Sequence, residues 1–493
     1  MASIAFDNKK YLLIQRKAIL KRIKDFGDKL YLEFGGKLFD DLHASRVLPG
    51  FEPDAKIKML LGLKDKIEII IAVNSDDIIS NKARNDTGIS YQDEVKRLID
   101  AFKDIKLFVS SVVFCFYKEN AQLSNFINFL QSKKIRVYKH YAIEGYPNNV
   151  ELVVSDAGLG KNEYVETSRP LVVVTAPGPG SGKMATCLSQ LYHDNKNGIR
   201  AGYAKFETFP VWNLPLKHPI NLAYEAATIE LNDVNLIDPY HLQAYKKSAT
   251  SYNRDVASFP LLQAIFKKIY GSSPYKSPTD MGVNMVGFAI KDKQAAIRAG
   301  KQEIIRRYYQ TVKNNFLGKY PDSTVEKAEM LMGEAGLTIN DRKCVKACLE
   351  KAEKTGVPCM ALEKGKDIIT GKRSQLLGAP AALLLNTLKS FAKIKDDMLV
   401  LMPSVIEPIN HLKVHTLKNH NPRIHAEEVL IALAIQANTN PIAQMVYQQI
   451  PKLKGLQAHS SVILPIVDMK TFNKLGMNVT EEAKSYAGKI FTK

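Results

Sequence analysis

Apolar runs of strand length alternate with helical patterns over the first 210 residues, and this alternation constrains the fold more than any other feature of the chain. The stretches 67–73 (IEIIIAV), 107–116 (LFVSSVVFCF) and 171–175 (LVVVT) are largely apolar, which is typical of strands covered on both faces. Elsewhere, apolar residues recur three and four positions apart, as in 95–102 and 184–191, which indicates amphipathic helices. The pattern predicts an α/β fold that begins with a Rossmann-like, layered domain.

The remaining chain divides into two further regions by its residue composition and its pattern of apolar residues. We predict a Rossmann-like domain with a glycine-rich anion loop over 1–215, a largely helical middle region over 216–335 and a smaller C-terminal α/β domain over 336–493. Near the start, Ile19, Ile23, Phe26 and Leu30 repeat at helical spacing and predict one helical face. In the last region the patterns predict strands at 357–362, 398–402 and 461–467, and helices at 376–391 and 426–437.

The charge balance bears on the class of partner. Lys and Arg total 69 against 50 Asp and Glu, a formal net charge of +19, so polyanions have to be considered. The lysines are dispersed among acidic residues, and no zinc-finger spacing, aromatic RNA-binding signature or basic region joined to heptads occurs. This distribution favours a lysine-rich solvated surface over nucleic-acid binding and remains compatible with small anionic ligands.

The same sequence bears on location. The longest apolar runs fall well short of the roughly 20 residues that a membrane span needs. The opening MASIAFDNKK has neither the basic nor the apolar segment of a secretory signal. Five cysteines without a regular spacing are typical of reduced thiols. We therefore expect a cytoplasmic protein with no membrane segment.

The most informative motif is the stretch 175–183 (TAPGPGSGK), which separates a predicted strand from a predicted helix. Glycines allow backbone N–H groups to approach an anion, the helix N-terminus adds partial positive charge, and lysine adds a full charge. We predict phosphate binding by Gly178, Gly180, Ser181, Gly182 and Lys183. A tight turn with a surface lysine is the alternative.

The motif matches the P-loop template G-x-x-x-x-G-K-[ST] only in part. Pro177 occupies the first glycine position, and Met184 occupies the position of the magnesium-binding hydroxyl. Ser181 or Thr186 would have to supply that hydroxyl at a different spacing. A nucleotide with magnesium is one expectation for the ligand, and a phosphorylated metabolite is the other.

Three further turns have the composition of ligand contacts. Lys372, Arg373 and Ser374 follow a glycine and precede an apolar helix, so they form a second candidate anion contact, with an ordinary N-cap by Ser374 as the alternative. The segments 34–37 (FGGK) and 84–86 (RND) also follow strand patterns, where substrate contacts are common in α/β folds, although plain turns explain both.

Metal-binding and nucleophile motifs are weak. Glu225, Asp233 and Asp238 are only candidates for a metal carboxylate, because their spacing is not diagnostic. His425-Ala-Glu427 matches half of the zinc-deaminase signature, but no P-C-x-x-C follows it. We predict no metal site and assign no catalytic residue.

Four segments carry a resemblance that spans nearly the whole chain: EFGGKLFDDLHASRVLPGF, APGPGSGKMATCLSQLYHD, GYAKFETFPVWNLPLKHPINLAYEAAT and TGKRSQLLGAPAALLLNTLK. With these motifs the chain resembles a bacterial family whose members carry only domain-of-unknown-function names. The resemblance implies a multi-domain cytoplasmic protein with a Rossmann-like first part, a helical insertion and a C-terminal α/β part that assembles as a homo-oligomer. It implies no reaction.

Together these features predict an enzyme that binds a nucleotide or a phosphorylated metabolite at the 178–183 loop and transfers a phosphoryl or other group. The competing hypothesis is a non-catalytic ligand-binding protein or oligomeric scaffold, in which the same loop binds an anion without turnover.

Overall fold

The computed structural model describes residues 4–36, 38–39, 41–84, 88–395 and 397–485. They form two compact units. The N-terminal unit comprises Ala5–Asn221 and Asp233–Lys293, and the C-terminal unit comprises Leu222–Asn232, the described residues from Gln294 onward and Ile4. The division into three regions at 215 and 335 stays a prediction.

A seven-stranded parallel sheet forms the centre of the N-terminal unit, in the order β4-β3-β2-β5-β1-β6-β9. Its strands are β1 (Leu30–Phe34), β2 (Ile67–Asn74), β3 (Phe108–Cys115), β4 (Arg136–Lys139), β5 (Leu171–Thr175), β6 (Gly202–Phe206) and β9 (Gly282–Val283), and a separate antiparallel pair consists of β7 (Asn235–Ile237) and β8 (Thr250–Tyr252). The predicted Rossmann-like sheet is confirmed.

Helices cover both faces of this sheet. They are α1 (Asn8–Asp25), α2 (Leu42–Val47), α3 (Ala55–Leu61), α4 (Ser75–Ile79), α5 (Tyr91–Asp104), α6 (Ala121–Ser132), α7 (Val150–Val153), α8 (Lys183–Lys196), α9 (Pro219–Ala227), which runs from this unit into the next, α10 (Pro239–Tyr245), α11 (Asn253–Tyr270) and α12 (Pro278–Met281).

Side chains alternate between two cores, as the pleat of a strand requires. In β5, Leu171 and Val173 pack with α1, α3, α5 and α6 on one face, whereas Val172 and Val174 pack with α8 and α11 on the other. Burial on both faces explains why the strands are continuously apolar in sequence.

The predicted helical face that ends at Leu30 is wrong in its last two members, because Phe26 is the C-cap of α1 and Leu30 lies beyond it. Helix α1 ends at Asp25, and Leu30 begins β1. The backbone turns at Gly27 and Asp28, whose φ angles are +76° and +72° and do not continue a right-handed helix. Leu30 belongs to the same core as Ile19 and Ile23, which explains its helix-like spacing.

The C-terminal unit contains a smaller mixed sheet in the order β11-β10-β12-β13, in which only β12 and β13 are parallel. Its strands are β10 (Cys359–Lys364), β11 (Asp367–Lys372), β12 (Gln457–Ser460) and β13 (Asn478–Glu481), and its helices are α13 (Lys293–Phe316), α14 (Asp322–Glu334), α15 (Lys343–Thr355), α16 (Ala379–Ala392), α17 (Pro403–His411), α18 (Ala426–Gln436), α19 (Pro441–Tyr447) and α20 (Ile466–Lys474).

Two predicted strands of this unit are wrong. Residues 398–402 form irregular structure, with Leu399 61% exposed, so the apolar composition there does not reflect a buried strand. The strand predicted at 461–467 lies earlier in the structure, as β12, and Ile466 already begins α20. Both helices predicted for this region are present as α16 and α18.

Candidate functional site

The carboxyl edge of the seven-stranded sheet contains a topological switch at β5. After β5 the chain passes into α8, on one face, whereas after the neighbouring strands β1 and β2 it passes to helices on the other face. Loops that leave in opposite directions open a crevice, and open α/β sheets bind ligands there. The glycine loop, residues 178–183, begins three residues after the end of β5 and lies at this crevice.

Backbone conformation at Gly182 shapes the glycine loop. Gly182 caps α8 with a φ of +88°, a left-handed conformation that costs other residues free energy. A Cβ at this position would lie 2.4 Å from the Cys115 Sγ at the end of β3. Only glycine therefore allows the loop to turn into α8 against the end of β3.

The loop offers unpaired donors. Among the described residues, no backbone N–H of 180–185 donates a hydrogen bond to a protein acceptor. The Lys183 side chain likewise forms no ion pair or hydrogen bond with any residue that the structure describes. Free N–H groups at a helix N-terminus, together with an uncommitted ammonium, are the features that bind phosphate.

The two hydroxyls considered for magnesium lie beneath the loop. The buried Ser181 Oγ donates to the Gly178 carbonyl at 2.9 Å, and the buried Thr186 Oγ1 donates to the Gly182 carbonyl at 3.0 Å. Both hydroxyls therefore brace the loop from below, and Ser181 would contact an anion through its backbone N–H.

An ionic cluster lies at the end of β6 and was not predicted from the sequence. The Lys205 Nζ lies 2.6 Å from Glu207 Oε1 and 2.6 Å from Asp255 Oδ1, and each side chain is only 18–19% exposed. Lys205 and Glu207 flank the end of a strand, whereas Asp255 belongs to α11. The available signal was a pair of opposite charges around Phe206, where the strand pattern is otherwise apolar.

Burial governs the protonation of Glu207. Removal from water raises the pKa of its carboxyl to about 7; the Lys205 ammonium opposes the increase, and the Asp255 carboxylate adds to it. The pKa of Lys205 is raised by the surrounding carboxylates, led by Asp255, despite burial. Glu33 in β1 is a third carboxylate in this area; it is buried and accepts a hydrogen bond from the Tyr203 hydroxyl at 2.7 Å.

The loop after β1 adjoins this cluster. The Gly35 N–H donates to the Phe206 carbonyl at 3.0 Å, and a Cβ on Gly35 would lie 3.6 Å from the Glu207 Cγ. Beyond it, the buried Lys56 ammonium pairs with Asp41 at 2.8 Å. The predicted contact at Lys37 lies outside the described residues.

The loop after β2 and α4 is described only in part. Arg84 pairs with the buried Glu94 of α5, while Asn85 and Asp86 lie outside the described residues. Tyr91, at the start of α5, packs against Gly178, where a Cβ would meet its hydroxyl at 2.1 Å. The glycine loop is thus fixed from this side as well.

The second candidate anion contact lies in the C-terminal unit and differs in form from its prediction. Thr370–Lys372 belongs to the edge strand β11 rather than to a turn, and a Cβ on Gly371 would lie 2.3 Å from the Leu383 backbone nitrogen of α16. This glycine therefore serves close packing. Ser374 does not cap α16, which begins after Gly378; its Oγ instead accepts from the Leu377 N–H at 3.0 Å.

Some polar groups of this segment already form hydrogen bonds within the protein. Lys372 is exposed at the end of β11, and the Arg373 N–H donates to the Pro358 carbonyl at 2.9 Å. Arg423 donates to the Ser374 carbonyl at 2.6 Å. Anion binding by Lys372, Arg373 and Ser374 stays a prediction.

His425 of the H-x-E motif forms a histidine–aspartate pair in the same unit. The Asp468 carboxylate accepts from the Ala426 N–H at 2.7 Å and contacts His425 Nδ1 at 2.9 Å. Among the described residues, no group of three or more His, Cys, Asp or Glu side chains is arranged to hold a metal ion.

The acidic candidates of the middle region have structural partners. Asp233 pairs with Arg254 at 2.7 Å, and Asp238 caps α10 by accepting from the His241 N–H at 2.9 Å.

All five cysteines are buried free thiols. Within the described ranges, no helix has the length and apolarity needed to cross a membrane.

Comparison with known proteins agrees with the resemblance noted in the sequence. The family model described as "Domain of unknown function DUF1846, N-terminal" matches residues 4–336, and its C-terminal counterpart matches residues 340–491. A UPF0371 protein of Streptococcus pyogenes serotype M5 is 52% identical over 494 residues, which cover all of both chains. A UPF0371 protein of Streptococcus pneumoniae serotype 19F is 53% identical over 481 residues, 97% of each chain.

Proposed function

The chain belongs to the DUF1846 family of UPF0371 proteins, and because that name states no reaction, we propose from the site itself that the protein is an enzyme that binds a nucleotide or phosphorylated metabolite at the glycine loop. The observation that carries the proposal is the set of unpaired N–H groups over 180–185 beside the uncommitted Lys183 ammonium. Their position at the topological switch is where α/β enzymes bind substrates.

The ionic cluster supports an enzyme over a passive binder. Glu207 has a pKa close to neutral pH because it is buried beside other carboxylates, and such groups exchange protons readily at physiological pH. It lies at the same edge of the sheet as the loop. Phosphoryl or other group transfer is therefore the reaction class that we propose, inside the cytoplasm and in a homo-oligomer.

A thermal-shift panel tests the proposal. Inorganic phosphate, nucleotides and sugar phosphates, each with and without magnesium, are compared on the wild type and on Lys183→Ala. A ligand at a hundred times its Kd stabilises the native state by about 2.7 kcal/mol, and Lys183→Ala should lose most of that stabilisation.

Lys196→Ala is the matched control, because it removes a lysine from the other end of the same helix, where the ammonium pairs with Asp156. It should keep the full shift. The proposal is refuted if no phosphorylated compound stabilises the wild type, or if both lysine variants respond alike. Binding without turnover of any compound in the panel would favour a ligand sensor.

A further inference from the structure

We propose that Glu207 binds a hydroxyl group of the phosphorylated ligand, so that the ligand class is a sugar phosphate or a similar phosphorylated polyol. This inference rests on the proposed function, since it takes the glycine loop as the phosphate site. It assigns the other end of the ligand to the ionic cluster.

Strand register places Glu207 and the loop that follows β5 at one level of the sheet. Glu33 of β1 lies opposite Val174 of β5 on one side and opposite Lys205 of β6 on the other. Glu207 and Ala176, each two residues further along, therefore leave the sheet at the same level, with β1 between them. Two strand spacings separate them, about 10 Å, which suits an extended phosphorylated sugar better than a bare phosphate.

The cluster leaves one carboxylate oxygen of Glu207 available. Lys205 contacts Oε1, and among the described residues Oε2 has no hydrogen-bond partner. Gly35 presents no side chain beside it, and the carboxylate is partly exposed. A ligand group can therefore reach Oε2 from the crevice.

Charge selects a neutral hydroxyl rather than a cation. A ligand ammonium bound at Oε2 would lie close to the Lys205 ammonium, which already contacts Oε1. A hydroxyl avoids this repulsion, and it can donate to the carboxylate or accept from the protonated acid. Among the described residues, the charged and titratable groups around Glu207 include Lys205, Asp255, Glu33, Tyr203, Asp233 and Arg254, together with the Lys56–Asp41 pair beside the loop after β1.

Isothermal titration with inorganic phosphate, glycerol 3-phosphate and glucose 6-phosphate tests the inference. We expect the wild type to bind glucose 6-phosphate at least tenfold more tightly than phosphate, and Glu207→Ala to lose that preference while it still binds phosphate. Glu166→Ala, which removes an exposed carboxylate from the same unit, should behave as wild type. The fluorescence of Trp212, the only tryptophan of the chain, verifies that each variant is folded.

The pH dependence provides a second readout. Glucose 6-phosphate and glycerol 3-phosphate are both phosphate monoesters that titrate near pH 6, so the ratio of their affinities isolates the carboxyl group. For the wild type this ratio should change across neutral pH, whereas Glu207→Gln, which has no proton to lose, should give a flat ratio.

Each outcome distinguishes the two proposals. If Glu207→Ala keeps the full preference for the sugar phosphate while Lys183→Ala loses phosphate binding, the inference is wrong and the proposed function stands. If the wild type binds none of the three ligands but is stabilised by a nucleotide of the thermal-shift panel, the inference is wrong and the proposed function stands; if it binds no phosphorylated compound at all, both are wrong. A preference for glycerol 3-phosphate equal to that for glucose 6-phosphate would refute the predicted span.

Discussion

Replacement of Glu207 by Gln should stabilise the N-terminal unit at alkaline pH and leave its stability nearly unchanged at acid pH. The carboxyl is buried beside Asp255, and its pKa rises from an ordinary value of 4.5 to about 7. Gln has the same shape, carries no charge and leaves the ion pair between Lys205 and Asp255 in place.

The sign follows from the proton balance of the two states. Between pH 4.5 and 7 the unfolded chain releases the Glu207 proton while the folded chain retains it, so the free energy of unfolding decreases as the pH rises. A difference of one pKa unit corresponds to about 1.4 kcal/mol, so charged Glu207 lowers wild-type stability by about 3 kcal/mol above neutral pH. Glu207→Gln avoids this cost, and its advantage should grow from near zero at pH 4.5 to about 3 kcal/mol at pH 8.5.

Urea unfolding followed by Trp212 fluorescence measures this difference, because Trp212 belongs to the N-terminal unit and its indole donates to the Asn284 carbonyl at 3.0 Å. Glu166→Gln provides the surface control. A Glu207→Gln variant that is less stable than wild type at pH 8.5, or whose advantage does not vary with pH, would refute the assignment of a buried, proton-retaining carboxyl.

Two further substitutions, one in each unit, test the structure. Gly182→Ala should destabilise the N-terminal unit by about 2–5 kcal/mol in urea unfolding, because left-handed strain is combined with a clash against Cys115. The control Gly180→Ala, with a φ of +72° and open space around it, should cost only about 1–2 kcal/mol, and equal effects of the two substitutions would contradict the packing around Gly182. Asp468→Ala should destabilise the C-terminal unit by about 1–3 kcal/mol, since the Ala426 N–H loses its acceptor. Calorimetry measures this loss, with Glu427→Ala, at a neighbouring exposed residue, as the control. An unchanged Tm would show that the His425–Asp468 pair does not contribute to the stability of this unit.

Sequence patterns predicted β2, β3 and β5 of the N-terminal sheet because burial on both faces leaves a strong local signal. The runs that became β2, β3 and β5 contain apolar residues on both sides of the pleat, and no amphipathic helix has that pattern. The order of the strands was not predictable, because β5 lies between β1 and β2 although the chain reaches it last of the three. Only contacts distant in sequence determine that order.

The C-terminal unit shows the opposite case. Residues 398–402 have the apolar composition of a strand, yet Leu399 and Met402 are exposed, so composition alone was misleading. The glycine in TGKRS suggested an anion loop, but Gly371 is required where β11 touches the backbone of α16. A glycine that serves packing and a glycine that serves a ligand look alike in a single sequence.

The glycine loop itself was predictable, and its departures from the P-loop template can now be interpreted physically. Met184 replaces the magnesium-binding hydroxyl, and neither substitute compensates, because Ser181 and Thr186 are buried and donate to carbonyls of the loop. The groups that the loop leaves without a protein partner are the row of N–H groups and Lys183, and we propose that these bind phosphate without a metal ion. The loop's own groups therefore favour a phosphorylated metabolite over a magnesium nucleotide, and the glycine loop and Glu207 become parts of one site only if the ligand reaches across β1 between them.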